Sequence, residues 1–169
     1  MNIELQRAKY DDVAAIWEIL QQGIVRRKAD GSEQWQDGYP NPDVIRNDID
    51  KKAGFVLLAN GDLAGYVAIM INDEPAYHEI EGSWLTEGDF VVYHRVAVSD
   101  QYLGKGLAVS LLEGVESFAR QEGIRSVRAD TNHDNGAMLH LFSKLGYTYC
   151  GEVYFRGSAR RAYEKVIEL

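Results

Sequence analysis

The segment Leu103-Gly104-Lys105-Gly106-Leu107-Ala108 lies between a run that reads as a strand and one that reads as a helix. A turn at such a junction exposes backbone N–H groups that have no partner inside the helix. Together with the positive end of the helix dipole, those donors make a site for phosphate. Glycines at 104 and 106 let the backbone take positive φ and approach a bulky pyrophosphate, and Lys105 adds a charge that can pair with it. Spacing argues against two nucleotide motifs. A Walker loop needs Gly-x-x-x-x-Gly-Lys-Ser/Thr, which is absent, and a dinucleotide fingerprint needs a third glycine where Val109 stands. On this segment alone, a glycine-rich turn without a ligand remains the alternative.

Other chemistry-bearing residues are sparser. Cys150 would need a lowered pKa to act as a nucleophile, supplied by a helix N-terminus or a neighbouring base. It sits instead in an apparent strand, Tyr147-Thr148-Tyr149-Cys150-Gly151, and reads as a small core residue. His78, His94, His133 and His140 show no zinc-type spacing, so no metal is expected. Trp35, Tyr39 and Trp84 are aromatics in polar segments, where rings can wall a substrate or a cation. Simple packing of these rings onto the domain is the competing account. The cluster Asp73, Glu74, Glu79, Glu81, Glu87 and Asp89 could attract an amine, although such a run is usually a solvated loop.

Periodicity supplies the elements that must position these groups. Ile3 to Ala8 alternates as a strand, and Asp11 or Asp12 can cap a helix carrying Val13, Ile16, Trp17, Leu20 and Ile24 on one face. A polar stretch from Asp30 to Pro42 leads to a short helix over Val44 to Ile49, closed by Gly54. Phe55 to Ala59 and Leu63 to Ile71 flank Asn60-Gly61, a hairpin signal. Asp73 to Glu87 is irregular, and Phe90 to Val98 is a long strand, apolar enough to be central. Leu107 to Ala119 is a helix ended by Gly123. Ser126 to Asp130 is a short strand. A helix capped by Asp134 or Asn135 ends at Gly146, and the strands 147–155 and 160–168 close the chain. The order β-α-α-β-β-β-α-β-α-β-β predicts one α+β domain over residues 1–169, with helices on both faces of the sheet.

Bulk properties narrow the partners. An apolar share of 46% with 26% charged residues argues against disorder. No apolar run reaches the roughly 20 residues of a membrane helix. Met1 to Arg7 lacks a signal-peptide layout, and a lone cysteine suits a reducing compartment, so the expected location is cytoplasmic. A net charge of −8 argues against nucleic acid and favours cationic small molecules such as amines.

The run His94-Arg95-Val96-Ala97-Val98-Ser99-Asp100-Gln101-Tyr102-Leu103-Gly104-Lys105-Gly106-Leu107-Ala108 resembles the acetyl-CoA signature of the GNAT superfamily of N-acetyltransferases. There a strand ends in a Val-Ala-Val type sequence and Gln/Arg-x-x-Gly-x-Gly/Ala opens the next helix. Asn135-Gly136-Ala137-Met138-Leu139-His140-Leu141-Phe142-Ser143-Lys144-Leu145-Gly146-Tyr147 is similar to the family's Asn-x-x-Ala-x-x-Leu-Tyr-x-Lys-x-Gly-Phe helix. The resemblance implies a GNAT-like, mainly antiparallel sheet of about seven strands. Two departures stand out: Leu103 takes the place of the usual Gln or Arg, and Phe142 that of a tyrosine often used as general acid.

The resemblance also implies direct transfer from acetyl-CoA, a co-substrate, to a primary amine of a small molecule or peptide. The pantetheine is expected along Val96, Ala97 and Val98, and the pyrophosphate on Leu103, Gly104, Lys105, Gly106, Leu107 and Ala108. Asn135 and Phe142 fall at cofactor-side positions. A backbone N–H near Val96 could stabilise the oxyanion. The amine must lose a proton, and His94, placed by alternation on the face of Val96 and Val98, is the expected base. A buried structural histidine is the alternative. Trp35, Tyr39, Trp84 and Tyr93 are expected at the acceptor, and Tyr93, Tyr154 and Tyr163 are open as proton donors to the thiolate. A homodimer is possible, with neither nucleic acid nor membrane as partner. A CoA-binding sensor without turnover is the competing function.

Overall fold

A computed structural model describes residues 1–169. It contains eight strands and four α-helices in a mixed, mostly antiparallel α+β fold, one strand more than the sequence predicts. The chain divides into two compact units, residues 1–69 with 94–114 and residues 70–93 with 115–169.

In the first unit, β1 (Ile3–Arg7), β2 (Gly54–Ala59) and β3 (Asp62–Ile71) are antiparallel neighbours. The β2–β3 turn is the expected one: Asn60 and Gly61 both take positive φ, 50° and 86°. That pair of dihedrals matches the twist of the flanking strands. Helix α1 (Val13–Ala29) follows β1 through a 3₁₀ turn over Tyr10–Asp12; Asp12 stands at its N-cap, but its side chain accepts from the Lys9 backbone N–H at 2.8 Å and caps no α1 N–H. Helix α2 (Pro42–Asp50) is capped by Asn41, whose side chain accepts from Val44 N, and Pro42 stands at its first position, where a missing N–H costs nothing. The helix ends at Asp50, and Gly54, expected to close it, opens β2 instead. Ile16, Ile19, Leu20, Ile45, Val56, Tyr66 and Ala97 form the core of this unit, together with Trp35.

In the second unit the first residues of β5 (Val91–Val98) run parallel to β6 (Ser126–Thr131). Antiparallel pairings then join β6 to β8 (Ser158–Val166), β8 to β7 (Thr148–Phe155) and β7 to β4 (Glu81–Gly82). Strand β4 is the one missed in the acidic 73–87 stretch. Two residues carry no periodicity, and its pairing rests on backbone approach: a Cβ at Gly82 or at Gly151 would stand 2.1 Å from the opposing carbonyl oxygen. Helix α3 (Leu107–Gln121) and β5 contribute residues to both units, while α4 (Gly136–Leu145) lies in the second and ends at Gly146, φ 83°. Tyr77, Phe90, Val92, Val153 and Ala162 form this unit's core. No helix is long and apolar enough to cross a membrane.

Candidate functional site

The glycine-rich segment lies in the first unit, where a strand hands over to a helix. Strand β5 ends at Val98, Ser99 Oγ accepts from Gln101 N, and a single 3₁₀ turn over Asp100–Tyr102 precedes the exposed residues Leu103 to Gly106. Gly104 and Gly106 take φ of 76° and 75°, and no protein atom lies within 4 Å of the place a Cβ would occupy on either. Gly106 O accepts from Ser110 N, so the N–H groups of Leu107, Ala108 and Val109 lead the helix without an intrahelical acceptor. Leu107 is buried and anchors the turn, Ala108 is half-buried, and Lys105 Nζ stands 5.7 Å from the Tyr102 ring. Outward N–H groups, an open side where glycine has no Cβ and a nearby ammonium fit a pyrophosphate. Leu103, 48% exposed, offers only its backbone.

Upstream, Val96, Ala97 and Val98 are buried. Ser99 N donates to Ala64 O at 2.8 Å, and the Ala97 carbonyl lies 3.1 Å from the Cβ position of Gly65, so these groups face β3. The carbonyls of Val96 and Val98 therefore point the other way. The parallel ladder from β5 to β6 pairs only Val91 with Val127 and Val92 with Arg128, so it does not use them. Two arginines from the last turn of α1 do. Arg26 donates to Val98 O at 2.9 Å and pairs with Asp100, and Arg27 approaches Val96 O at 3.5 Å.

The regular alternation that groups His94 with Val96 and Val98 is interrupted between them, because Arg95 takes φ 59° inside the strand. Its guanidinium is clamped by Asp48, with Nε to Oδ2 at 2.9 Å and Nη2 to Oδ1 at 2.6 Å, and it also donates to the Tyr39 hydroxyl. Tyr66 donates to Asp48 Oδ2 at 2.7 Å, and burial together with Asp48 pushes its pKa well up, so the hydroxyl stays protonated. Tyr39, expected at the acceptor, thus belongs to a polar network that holds β5 to α2. His94 is half-buried beside it.

Trp35 is 6% exposed, and the Arg27 guanidinium lies over its ring at 3.5 Å. The other Arg27 partners are long contacts, to Gly23 O at 3.4 Å and Val96 O at 3.5 Å, and its buried Nε has no hydrogen-bond partner. Burial, and then the neighbouring Arg26, push its pKa down to about 10. A cation over an indole gains about 0.5–2 kcal/mol, less than the several kcal/mol that an uncompensated buried charge costs. Sequence reasoning missed Arg26, Arg27, Arg95 and Asp48. The basic run 26–28 closing α1 reads as ordinary complement to a helix C-terminus, and nothing in it says that one guanidinium turns inward.

The remaining expected residues lie in the second unit. Trp84 Nε1 donates to Tyr77 O at 2.9 Å, and Arg128 stacks over its ring at 4.4 Å. Tyr93 is 2% exposed and donates to the Tyr147 hydroxyl at 3.1 Å; burial keeps both phenols far above the usual range. Asn135 caps α4, accepting from Met138 N at 3.2 Å. Phe142 is fully buried against Tyr147 and Tyr163, with centroids at 5.1 and 4.6 Å. The hydroxyl of Tyr154 donates to Glu81, and Cys150 is buried with its thiol pushed up by burial and by Glu164.

A strand whose ladder with β6 is confined to Val91 and Val92, two open positive-φ glycines and a helix N-terminus adjoin at this end of the first unit. Residues 15–147 match the model of the Acetyltransferase (GNAT) family, and the chain belongs to that family. It is 27% identical over 149 residues to the Bacillus subtilis protein named uncharacterized N-acetyltransferase YesJ, covering 85% of this chain and 81% of that one. A GNAT-family acetyltransferase structure from Streptococcus agalactiae superposes with a TM-score of 0.90 at 34% identity, over 99% and 96% of the two chains. The yncA protein of Salmonella typhimurium, described with its cofactor acetyl-CoA, shares the fold at a TM-score of 0.69 and 20% identity, over 100% of this chain and 96% of that one.

Proposed function

We propose that this acetyltransferase moves the acetyl group of acetyl-CoA directly to a primary amine of a small molecule or peptide. The observation that carries the reading is the pair of positive-φ glycines whose open side adjoins the unpaired N–H groups of α3. Residues 103–108 hold the pyrophosphate, and the backbone of Val96 to Val98 receives the pantetheine. When bound, acetyl-CoA supplies an activated acyl carbon and a thiolate leaving group. The chain's part is to place the amine against that carbon, which alone can supply several kcal/mol. His94 takes the amine proton, directly or through water, as the C–N bond forms and the C–S bond breaks. Phe142 brings no hydroxyl to the departing sulfur, which takes its proton from water or another group.

A branched residue in the left-handed region costs about 1–2 kcal/mol before any clash with ligand. Gly104→Val and Gly106→Val, each confirmed folded by circular dichroism, should therefore weaken CoA binding in calorimetry by about tenfold or more. Unchanged affinity in either variant would refute the cradle. Phe142 also favours a second reading, a CoA-binding sensor, which predicts tight CoA binding with no thiol release on any amine.

A further inference from the structure

Most of the inward-turned arginines have carboxylates. Arg95 has Asp48, Arg128 has Glu164 at 3.5 Å, and Arg26 has Asp100. Arg27 is the exception: its charged neighbour is another cation, Arg26, and its polar partners are two carbonyl oxygens at long range. A guanidinium carries five N–H donors in a rigid fork. Two are engaged by Gly23 and Val96, which leaves three, among them the buried Nε–H. Gly23 makes the seat possible, since a Cβ there would lie 3.1 Å from both Arg27 Nη1 and the Trp35 ring. The indole covers one face of the fork, with its ring centroid 3.5 Å from Arg27 Cζ.

We propose that Arg27 binds the carboxylate of the acceptor, and that the acceptor is a free amino acid rather than a simple amine or an internal residue of a peptide. The inference rests on the transferase reading for the location of the reacting carbon. A carboxylate accepts two parallel N–H bonds from such a fork and supplies the charge that Arg27 lacks. The fork touches Val96, the residue beside which the thioester is expected. In an α-amino acid one carbon separates carboxylate from amine, so anchoring the first at Arg27 delivers the second to that strand.

The test compares free L-amino acids, one from each side-chain class, with the corresponding amides and decarboxylated amines, in wild type, Arg27→Gln and Arg27→Lys. The wild type should prefer the acid of at least one set. Arg27→Gln should raise KM for that acid about thirtyfold, with the loss on KM rather than kcat, and should abolish the preference for acid over amide. Arg27→Lys, which keeps the charge but not the fork, should restore part of it. Equal use of acids and amides by the wild type, or a preference unchanged in Arg27→Gln, overturns the proposal. If no acceptor is turned over, the transferase reading fails, and calorimetric titration of the acids and amides into the CoA-loaded protein then decides. Acid-selective binding lost in Arg27→Gln sustains the carboxylate site, and binding without selectivity, or none, overturns it.

Discussion

A proton must leave the attacking amine, and in the proposed reaction His94, on β5 between Tyr93 and Arg95, is the group that takes it. Its neighbour Arg95 is fixed from two sides, by a left-handed backbone and by the Asp48 clamp. If His94 is the base, His94→Ala should lower turnover about 100-fold or more while CoA affinity changes little. The comparison is steady-state kinetics beside calorimetry, and a wild-type rate and pH profile would make the histidine structural. The glycines at 104 and 106 were legible because their chemistry is local: a turn, a helix start and a positive φ are written in six consecutive residues. Arg27 was not, because an inward guanidinium without a counter-charge is a fact of tertiary packing. Phe142, chosen from a motif, proves to be fully buried between two tyrosine rings.

Strand β5 is the element on which the account depends, and its geometry is maintained by a buried ion pair with α2. Asp48 and Arg95 side chains are 3% and 9% exposed. Asp48→Asn leaves the guanidinium as an uncompensated buried charge and turns one of the two oxygens that Arg95 and Tyr66 share into a donor, so it should destabilise by about 3–5 kcal/mol, read as a lowered Tm and urea midpoint. Arg95→Met combined with Asp48→Asn should cost less than the two single changes together, because neither charge is then left alone. Additive losses would show that the pair does not act as a unit. Most elements were visible in advance from 3.6-residue and two-residue periods and from their punctuation by Asn60-Gly61, Gly123 and Gly146. What periodicity could not show is the interruption at Arg95, since a left-handed residue inside a strand leaves no trace in the hydrophobic pattern. The short β4 escaped for a related reason, its pairing being carried by Gly82 and Gly151 and not by side chains.

At the scale of the whole molecule, the order of elements and the two motifs were enough to identify the family, because the cofactor's phosphates impose a backbone requirement that sequence must meet. The acceptor imposes none of that kind. Trp35, Tyr39 and Trp84 were singled out as rings in polar segments, and each proves to be engaged by an arginine of the chain: Arg27, Arg95 and Arg128. Aromatic content therefore pointed to arginine-stacked rings, of which the Trp35–Arg27 pair is the one the carboxylate proposal uses. The most direct test of the central claim is to incubate the protein with acetyl-CoA and a panel of amines, following free thiol and the mass of each amine together. The account predicts one acetyl group gained by an amine for each thiol released. Tight CoA binding with neither thiol release nor acetylated amine would contradict it.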